Sequence, residues 1–515
     1  MPYLRRNVYE LGTAWADPIL WYARGVAVMK SRGLAQPTSW RFYGAIHGID
    51  PGLWTHFGYL SALDPMPSDA LIKRFWRQCQ HGSWYFLPWH RGYVLAFEAN
   101  VRAAVVELGG PADWALPYWN YFKPGQNRLP LAFATPDWPD GKGNNPLFVE
   151  PRFGPGPFGT PGETGVYVPM NRVNLLAMAD PDFTGATNGG SPGFGGVDTG
   201  FSHGGSVHGG LETQPHDYVH GLVGGTDPKD QDYSGLMGDP DTAGLDPIFW
   251  LHHGNIDRLW SVWRVNPRSH VDPTETSWLE GPASNGERPF CMPMPDGSTW
   301  TYKPSEMVDT GRLGYAYDDL APAPATVQGV KLLVSSLPQV DFEGSAAVPK
   351  VRDVEMVGAS ESAVSLSGRG AASSIRMAPT GTARLKAART AQLTAAASIA
   401  PERVFLNLEN VKSKVDGIVF DVYVGLTNAA DPGAHPDNLA GSIALFGVRK
   451  ASLVDDEHAG KGITFVLDIT DVAARADLTG ESADGSLPVR LVPLSDVPEA
   501  AQVEVGRISV YYQKP

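Results

Sequence analysis

Apolar positions recur at helical spacing through much of the first 320 residues. Residues 16–32, ADPILWYARGVAVMKSR, keep that period and close on basic residues, which predicts a helix. A shorter apolar run covers Trp40–His47. Residues 71–79 also read as helical, with Cys79-Gln80-His81 at or just past the helix end. The run from Arg91 to Leu108 predicts a long helix with His90 near its N-terminus. ALPYWNY, residues 115–121, is an aromatic segment that turns the chain. Residues 122–210 are dominated by Gly, Pro, Asn and Asp. A loop region of that length in a compact domain is either functional or wrapped over the core. Two further helical runs follow, GGLETQPHDYVHGLVGG and LDPIFWLHHGNIDRLW, separated by a Gly/Asp-rich loop over 223–245. The expectation for 1–320 is a mainly α domain, a four-helix bundle with long loops.

The pattern then changes. APAPATVQG opens a stretch over 321–400 whose later part, 357–400, is largely Ala, Ser, Thr and Gly with basic residues, and it reads as a connector. From Arg403 the period becomes two: VFLNL, GIVFDVYVGL, SIALFGV, ITFVLDI, PVRLVPL and VEVGRISVYY. Six alternating runs between turn residues predict a small all-β antiparallel sandwich over 401–515.

Composition narrows the function classes. Five hundred and fifteen residues can bury a large core, and 43% apolar with 19% charged residues reads as globular. A net charge of −14 points away from nucleic acid and anionic membranes as partners. Two cysteines, Cys79 and Cys291, make no disulfide scaffold. MPYLRRNVYELGTAW has no apolar run after its basic residues, which sets the expectation of an unprocessed, cytoplasmic chain.

Histidines carry the candidate chemistry. His216 and His220 are four apart, so on a helix both imidazoles leave from one face. The adjacent pair His252-His253 lies on the next helical run, and His47, His81 and His90 form a second set upstream. Neutral imidazoles from facing helices bind a borderline transition metal. They tolerate both oxidation states of copper, and the absence of carboxylates within the sets disfavours non-haem iron. Zinc suits one such site. Two sites in one domain need a reason, and a dioxygen molecule bridging a pair of coppers supplies it.

HGSWYFLPWHRGYVLAFE and DPIFWLHHGNID resemble the two copper signatures of the tyrosinase family. GYAYDDL, with Tyr315 and Tyr317, resembles the tyrosine motif that closes the family's catalytic domain, where it meets an arginine, here Arg5 or Arg6. The C-terminal part resembles that of plant polyphenol oxidases. The resemblance implies a type-3 dicopper enzyme using dioxygen as cosubstrate. It implies His47, His81 and His90 on one copper and His216, His220 and His253 on the other, with His252 outside the ligand set. The implied activity is o-hydroxylation of small monophenols and oxidation of o-diphenols to o-quinones. A catechol oxidase, an o-aminophenol oxidase and, from another class, a haemocyanin-like oxygen carrier share the same ligands.

Further expectations come from the same resemblance. The spacing of Cys79 and His81 matches that of a thioether in fungal and plant members. Glu212 matches a carboxylate that holds water and takes the phenol's proton. Asp217 stands where monophenol-active bacterial relatives usually have Asn, and is expected to serve as an additional base. Pro240 and Gly221, small where plant members are often bulky, suggest an open substrate mouth. Phe249 and Asp257 are expected beside the ligands, Asp257 orienting an imidazole. His203 and His208 are expected outside the triads. The C-terminal domain is expected to act as an intramolecular lid that inserts a side chain over the site, and a homo-oligomer is a further expectation.

Overall fold

The computed structural model describes residues 2–155, 165–203, 207–265, 270–321, 353–393, 402–426, 430–454, 460–475, 478 and 486–514. Helix α1 spans Asp17–Ser31, α2 Trp40–His47, α3 Phe86–Glu107, α4 Tyr218–Gly224 and α5 Pro247–Val265. Local chemistry sets their starts. Ser39 Oγ accepts from the Phe42 N–H at 3.1 Å and caps α2. Asp246 Oδ1 accepts from the Ile248 N–H at 2.9 Å, and Pro247 opens α5 with its preset φ. Arg152 fixes that capping carboxylate with contacts of 2.6 and 2.8 Å. Helix α3 begins at Phe86, a turn before the expected Arg91, because Pro88 is tolerated in a first turn whose N–H groups have no helical partner. His90 therefore lies inside the helix.

A buried aromatic core joins these helices. Phe97 of α3 stacks on Trp250 of α5 at 3.5 Å between centroids, and Trp40 and Tyr93 pack against the same indole. At the edge of this core, Tyr3–Arg5 pairs in parallel with Tyr315–Tyr317. Arg5 is fully buried there and donates to Glu98 (2.7 Å), Asp257 (3.1 Å) and the Tyr317 hydroxyl (3.0 Å). Of the two expected arginines, Arg5 is the one that meets the tyrosine motif.

The second domain is one eight-stranded antiparallel sheet with its own core. Its strands are β1 Val354–Ser360, β2 Ala371–Met377, β3 Arg403–Val411, β4 Val419–Val424, β5 Leu439–Ala444, β6 Ile463–Asp468, β7 Ser486–Pro493 and β8 Arg507–Gln513. The order across the sheet is β5-β4-β7-β2-β1-β8-β3-β6. Its two edges approach each other: a Cβ at Gly441 of β5 would lie 3.0 Å from Leu467 of β6. The sheet is therefore nearly barrel-like rather than two open layers.

The expected connector over 321–400 is corrected in its second half. Residues 354–377 supply two central strands, and Pro379–Leu393 is helical. Ala371–Met377 turns only Ile375 and Met377 fully inward, so small side chains mask the alternation, and β7 and β1 supply its pairing. Residues 322–352 and 394–401 lie outside the described residues. No described helix is long and apolar enough to cross a membrane.

The two domains share a core. Val419, Ala444 and Phe446 of the second domain belong to the buried cluster of the helical one. Arg403 reaches Asp180 at 2.8 Å, and Arg172 pairs with Asp421 across the same boundary.

Candidate metal centre

Four helices deliver His47, His90, His220 and His253 to one buried place, α2, α3, α4 and α5 contributing one each. The other two expected ligands come from segments beside those helices. His81 lies in a loop whose backbone bridges to His203. His216 lies in the wide, π-helical turn Glu212–Asp217 that runs directly into α4. The helical run expected over 210–224 kinks at Gln214, which has φ −141° and ψ 121°, ahead of Pro215, and His216 and His220 both lie after the kink on one helical stretch. The two rings meet, 4.5 Å apart.

His47, His81 and His90 form a near-equilateral group with ring centroids 5.3, 5.5 and 5.7 Å apart. His216, His220 and His253 form the other, at 4.5, 5.0 and 5.5 Å. The groups face each other: His90 stacks on His253 at 4.5 Å, and His81 lies 5.8 Å from His216. His252 also touches His216 and His220, but its ring packs on Tyr121 where that of His253 stacks on His90.

Backbone carbonyls orient much of this set. Nδ1 of His47 lies 2.7 Å from the Pro240 oxygen, that of His90 2.8 Å from Phe86, and that of His220 2.8 Å from Met237. Nδ1 of His216 lies 2.9 Å from Asp217 Oδ1. With Nδ1–H donating, each ring keeps Nε2 as a lone pair for a metal. Nε2 of His47 and of His216 are buried with no protein partner, and His220 and His253 turn Nε2 toward each other at 3.3 Å. Orphaned, converging imidazole nitrogens fit two copper ions.

Cys79 Sγ lies 3.4 Å from Nδ1 and 3.5 Å from Nε2 of His81, and 3.4 Å from Nε2 of His90. Glu212 is fully buried and accepts from the Gly82 N–H at 2.9 Å, beside His81. Burial pushes its carboxyl up to about 8. Phe249 lies between the triads, 5.0 Å from His47 and 4.1 Å from His253.

Three expectations are corrected. Asp217 is not a free base: Oδ1 meets His216, and Oδ2 lies 2.6 Å from Nδ1 of His208. Asp257 orients no imidazole. Its carboxylate is taken by Arg5, Arg91, Tyr315 and Tyr317, because the tyrosine motif closes over that face of α5. Gly221 and Pro240 do not border an open mouth. A Cβ at Gly221 would come 2.9 Å from Ala444 and 3.1 Å from Val419, and Pro240 faces Gly447.

The residue missing from the sequence expectations is Phe446. It is fully buried, stacks on His220 at 4.2 Å and 21°, and meets His81 and His216 edge-on, each at 5.5 Å. One ring thus touches histidines of both triads. The available signal was slight: an aromatic that breaks the alternation at the end of SIALFGV, before a Gly447 with φ +78°.

Burial holds these imidazoles neutral in the metal-free protein. His47 is pushed down to about 4 and His252 to about 3, and His81, His90, His216, His220 and His253 all lie well below the usual value. The unfolded chain protonates them near 6.5, so below that pH it binds more protons than the folded one. Their contribution is complete above about 6.5 and is lost as pH falls toward about 4. His47 alone accounts for about 3 kcal/mol. Buried carboxyls held high, Glu212, Asp217 and Asp416 among them, work the other way as pH falls, but the seven histidines outnumber these three. The metal-free protein is therefore expected to melt at least ~5 °C lower at pH 5 than at pH 7.5. Equal melting temperatures would contradict a buried, neutral histidine set.

Residues 37–266 match the family model described as the common central domain of tyrosinase, and residues 353–513 match a domain of unknown function, DUF7868. Tyrosinase HcTyr1 of Hahella sp. (strain CCB-MM4) is 33% identical over 518 residues, spanning 98% of each chain. A chloroplastic polyphenol oxidase of Malus domestica is 26% identical over 84% of this chain and 67% of its own. Among solved structures, latent aurone synthase (polyphenol oxidase) aligns with a TM-score of 0.58 at 18% identity, covering 100% of this chain and 90% of that one. Latent apple tyrosinase aligns with 0.57 at 20%, covering 100% and 98%. At those identities the structures speak for the fold, in both domains. Identity sustained from end to end with a tyrosinase, on a helical core that sets two histidine triads face to face, makes this chain a member of the tyrosinase family of type-3 copper oxidases.

Proposed function

We propose that the enzyme hydroxylates small monophenols at the ortho position and oxidises o-diphenols to o-quinones, and that its own C-terminal domain keeps the intact chain latent. Phe446 carries this reading. A benzyl side chain stacked on His220 and touching His81 and His216 occupies the place and shape of a phenol ring presented to both metals. His47, His81 and His90 would hold one copper, and His216, His220 and His253 the other. His253 is preferred to His252 because its ring faces the first triad. Copper bound there would supply dioxygen binding and the redox chemistry.

The chain's own residues do the rest. A thioether from Cys79 would fix the His81 ring, whose segment is a loop rather than a helix. Glu212, with its carboxyl near 8 before metal charge is added, is suited to take the phenolic proton at a carboxylate oxygen. Asp217, tied to His208 and His216, orients a ligand. When the C-terminal domain moves aside, the small Gly221 and Pro240 leave room for the entering ring, and Phe249 packs beneath it. The names of the relatives, a tyrosinase and polyphenol oxidases, fit phenolic substrates, and the latent forms among the similar structures fit a covered site.

Paired oxygen-uptake assays on copper-loaded, protease-treated protein test the substrate reading. Uptake with a monophenol after a lag, and at once with the matching catechol, is expected. Uptake with catechol alone would make the protein a catechol oxidase, and uptake with neither would sink both readings.

A further inference from the structure

Directly after Phe446 and Gly447, the one-turn helix Val448–Ala451 presents two cations to the helical domain. Arg449 reaches Asp239 at 2.9 Å, Asp241 at 3.0 Å and Asp50 at 3.2 Å. Lys450 is buried, with Nζ 2.6 Å from Asp241 Oδ1 and 2.7 Å from Nε2 of His203. His203 in turn lies 3.0 Å from the Cys79 carbonyl through Nδ1. Asp416 steadies the helix by accepting from the Arg449 N–H at 2.9 Å.

What these cations grip is the segment Met237–Asp241. Its Met237 carbonyl accepts from His220, in one triad, and its Pro240 carbonyl from His47, in the other. Five consecutive residues thus aim one histidine of each triad, and both carboxylates of the same five are neutralised from the other domain. Both carboxylates are buried. Without their partners they would be uncompensated charges, and the segment would have to shift toward water to solvate them. A shift there moves both carbonyls at once.

We propose that the C-terminal domain is a positioning element for both metal sites as well as a cover: Arg449 and Lys450 clamp Met237–Asp241 and so hold His47 and His220 with Nε2 aimed at the metals. The proposal rests on the two triads holding copper. It makes the domain a contributor to copper retention, which a mere lid is not. Removing a group that orients a ligand typically costs ten- to a hundredfold in metal affinity.

The test is competition between the copper-loaded full chain and EDTA, following metal left on the protein. Arg449→Ala/Lys450→Ala is expected to retain copper about tenfold more weakly. Arg403→Ala, which removes the inter-domain pair with Asp180 but keeps the clamp, should retain it like the unsubstituted chain, and the charge-preserving Lys450→Arg should too. Retention unchanged in the double variant would overturn the proposal and leave the pair as a latch. Loss from Arg403→Ala as fast as from the double variant would also overturn it, since docking of the domain as a whole rather than the clamp would then hold the metal. If the double variant fails to fold, Lys450→Met alone should show a smaller loss of the same sign, and none would count against the clamp. An unsubstituted chain that takes up no copper would instead defeat the dicopper reading itself.

Discussion

Phe446→Ala is expected to raise the oxygen uptake of the intact chain on a catechol by between about ten- and a hundredfold, to the level of the protease-treated enzyme. Two effects add. The ring fills the space in which a substrate ring would contact His81, His216 and His220, so its removal opens the site even with the domain in place. Truncating a buried Phe also costs roughly 3 kcal/mol of packing. Here that loss falls on the docked arrangement, because Phe446 belongs to the core of the helical domain. At 1.4 kcal/mol per tenfold, that is enough to shift a closed equilibrium by about two powers of ten. Uptake should be measured before and after protease or mild denaturant. The unsubstituted chain should gain strongly and the variant hardly at all. A variant as latent as its parent would mean that Phe446 packs beside the site without covering it.

How much of this could be seen in the residues alone follows from the range of the interactions. The histidine sets were legible because their spacing is local: His216 and His220 on one run, His90 inside a run that reads as helix, His253 in a segment that opens with an Asp cap and a Pro. The six alternating strands after Arg403 were legible for the same reason. Ala371–Met377 was not, since its small side chains hide the alternation and only its neighbours supply the pairing. Long-range partners decided the misassigned residues. Asp257 lies one turn past His253, where an imidazole was the natural partner, yet Arg5 lies 252 positions away and takes its carboxylate. Asp217 stands where relatives have Asn, and that exchange alone suggests an added base, but His208 occupies its second oxygen. Carbonyl partners such as Met237 and Pro240 leave no mark in side-chain chemistry, so the segment that aims two of the histidines was invisible.

The adjacent pair His252-His253 gives the sharpest test of the ligand assignment. Both rings are buried, both touch His216 and His220, and burial holds both neutral. They differ in direction. His253 stacks on His90 and packs on Phe249, so it lies between the triads, and its Nε2 points at that of His220. His252 turns toward Tyr121, whose hydroxyl is 3.3 Å from its Nδ1. A third ligand on the outer side could bind a single metal, but it would pull that metal away from its partner. His253→Gln is therefore expected to lose copper from the second site and to cut activity by more than the roughly hundredfold that marks loss of an orienting group. His252→Gln should keep both metals and stay within about tenfold of the parent activity, as loss of an orienting neighbour costs at least that. Metal analysis alongside oxygen uptake reads both effects. An exchanged result, with the His252 variant losing metal and the His253 variant keeping it, would move the second site outward by one helix position. The His90–His253 stack would then be packing, and the coppers would lie too far apart for one phenol ring to meet both.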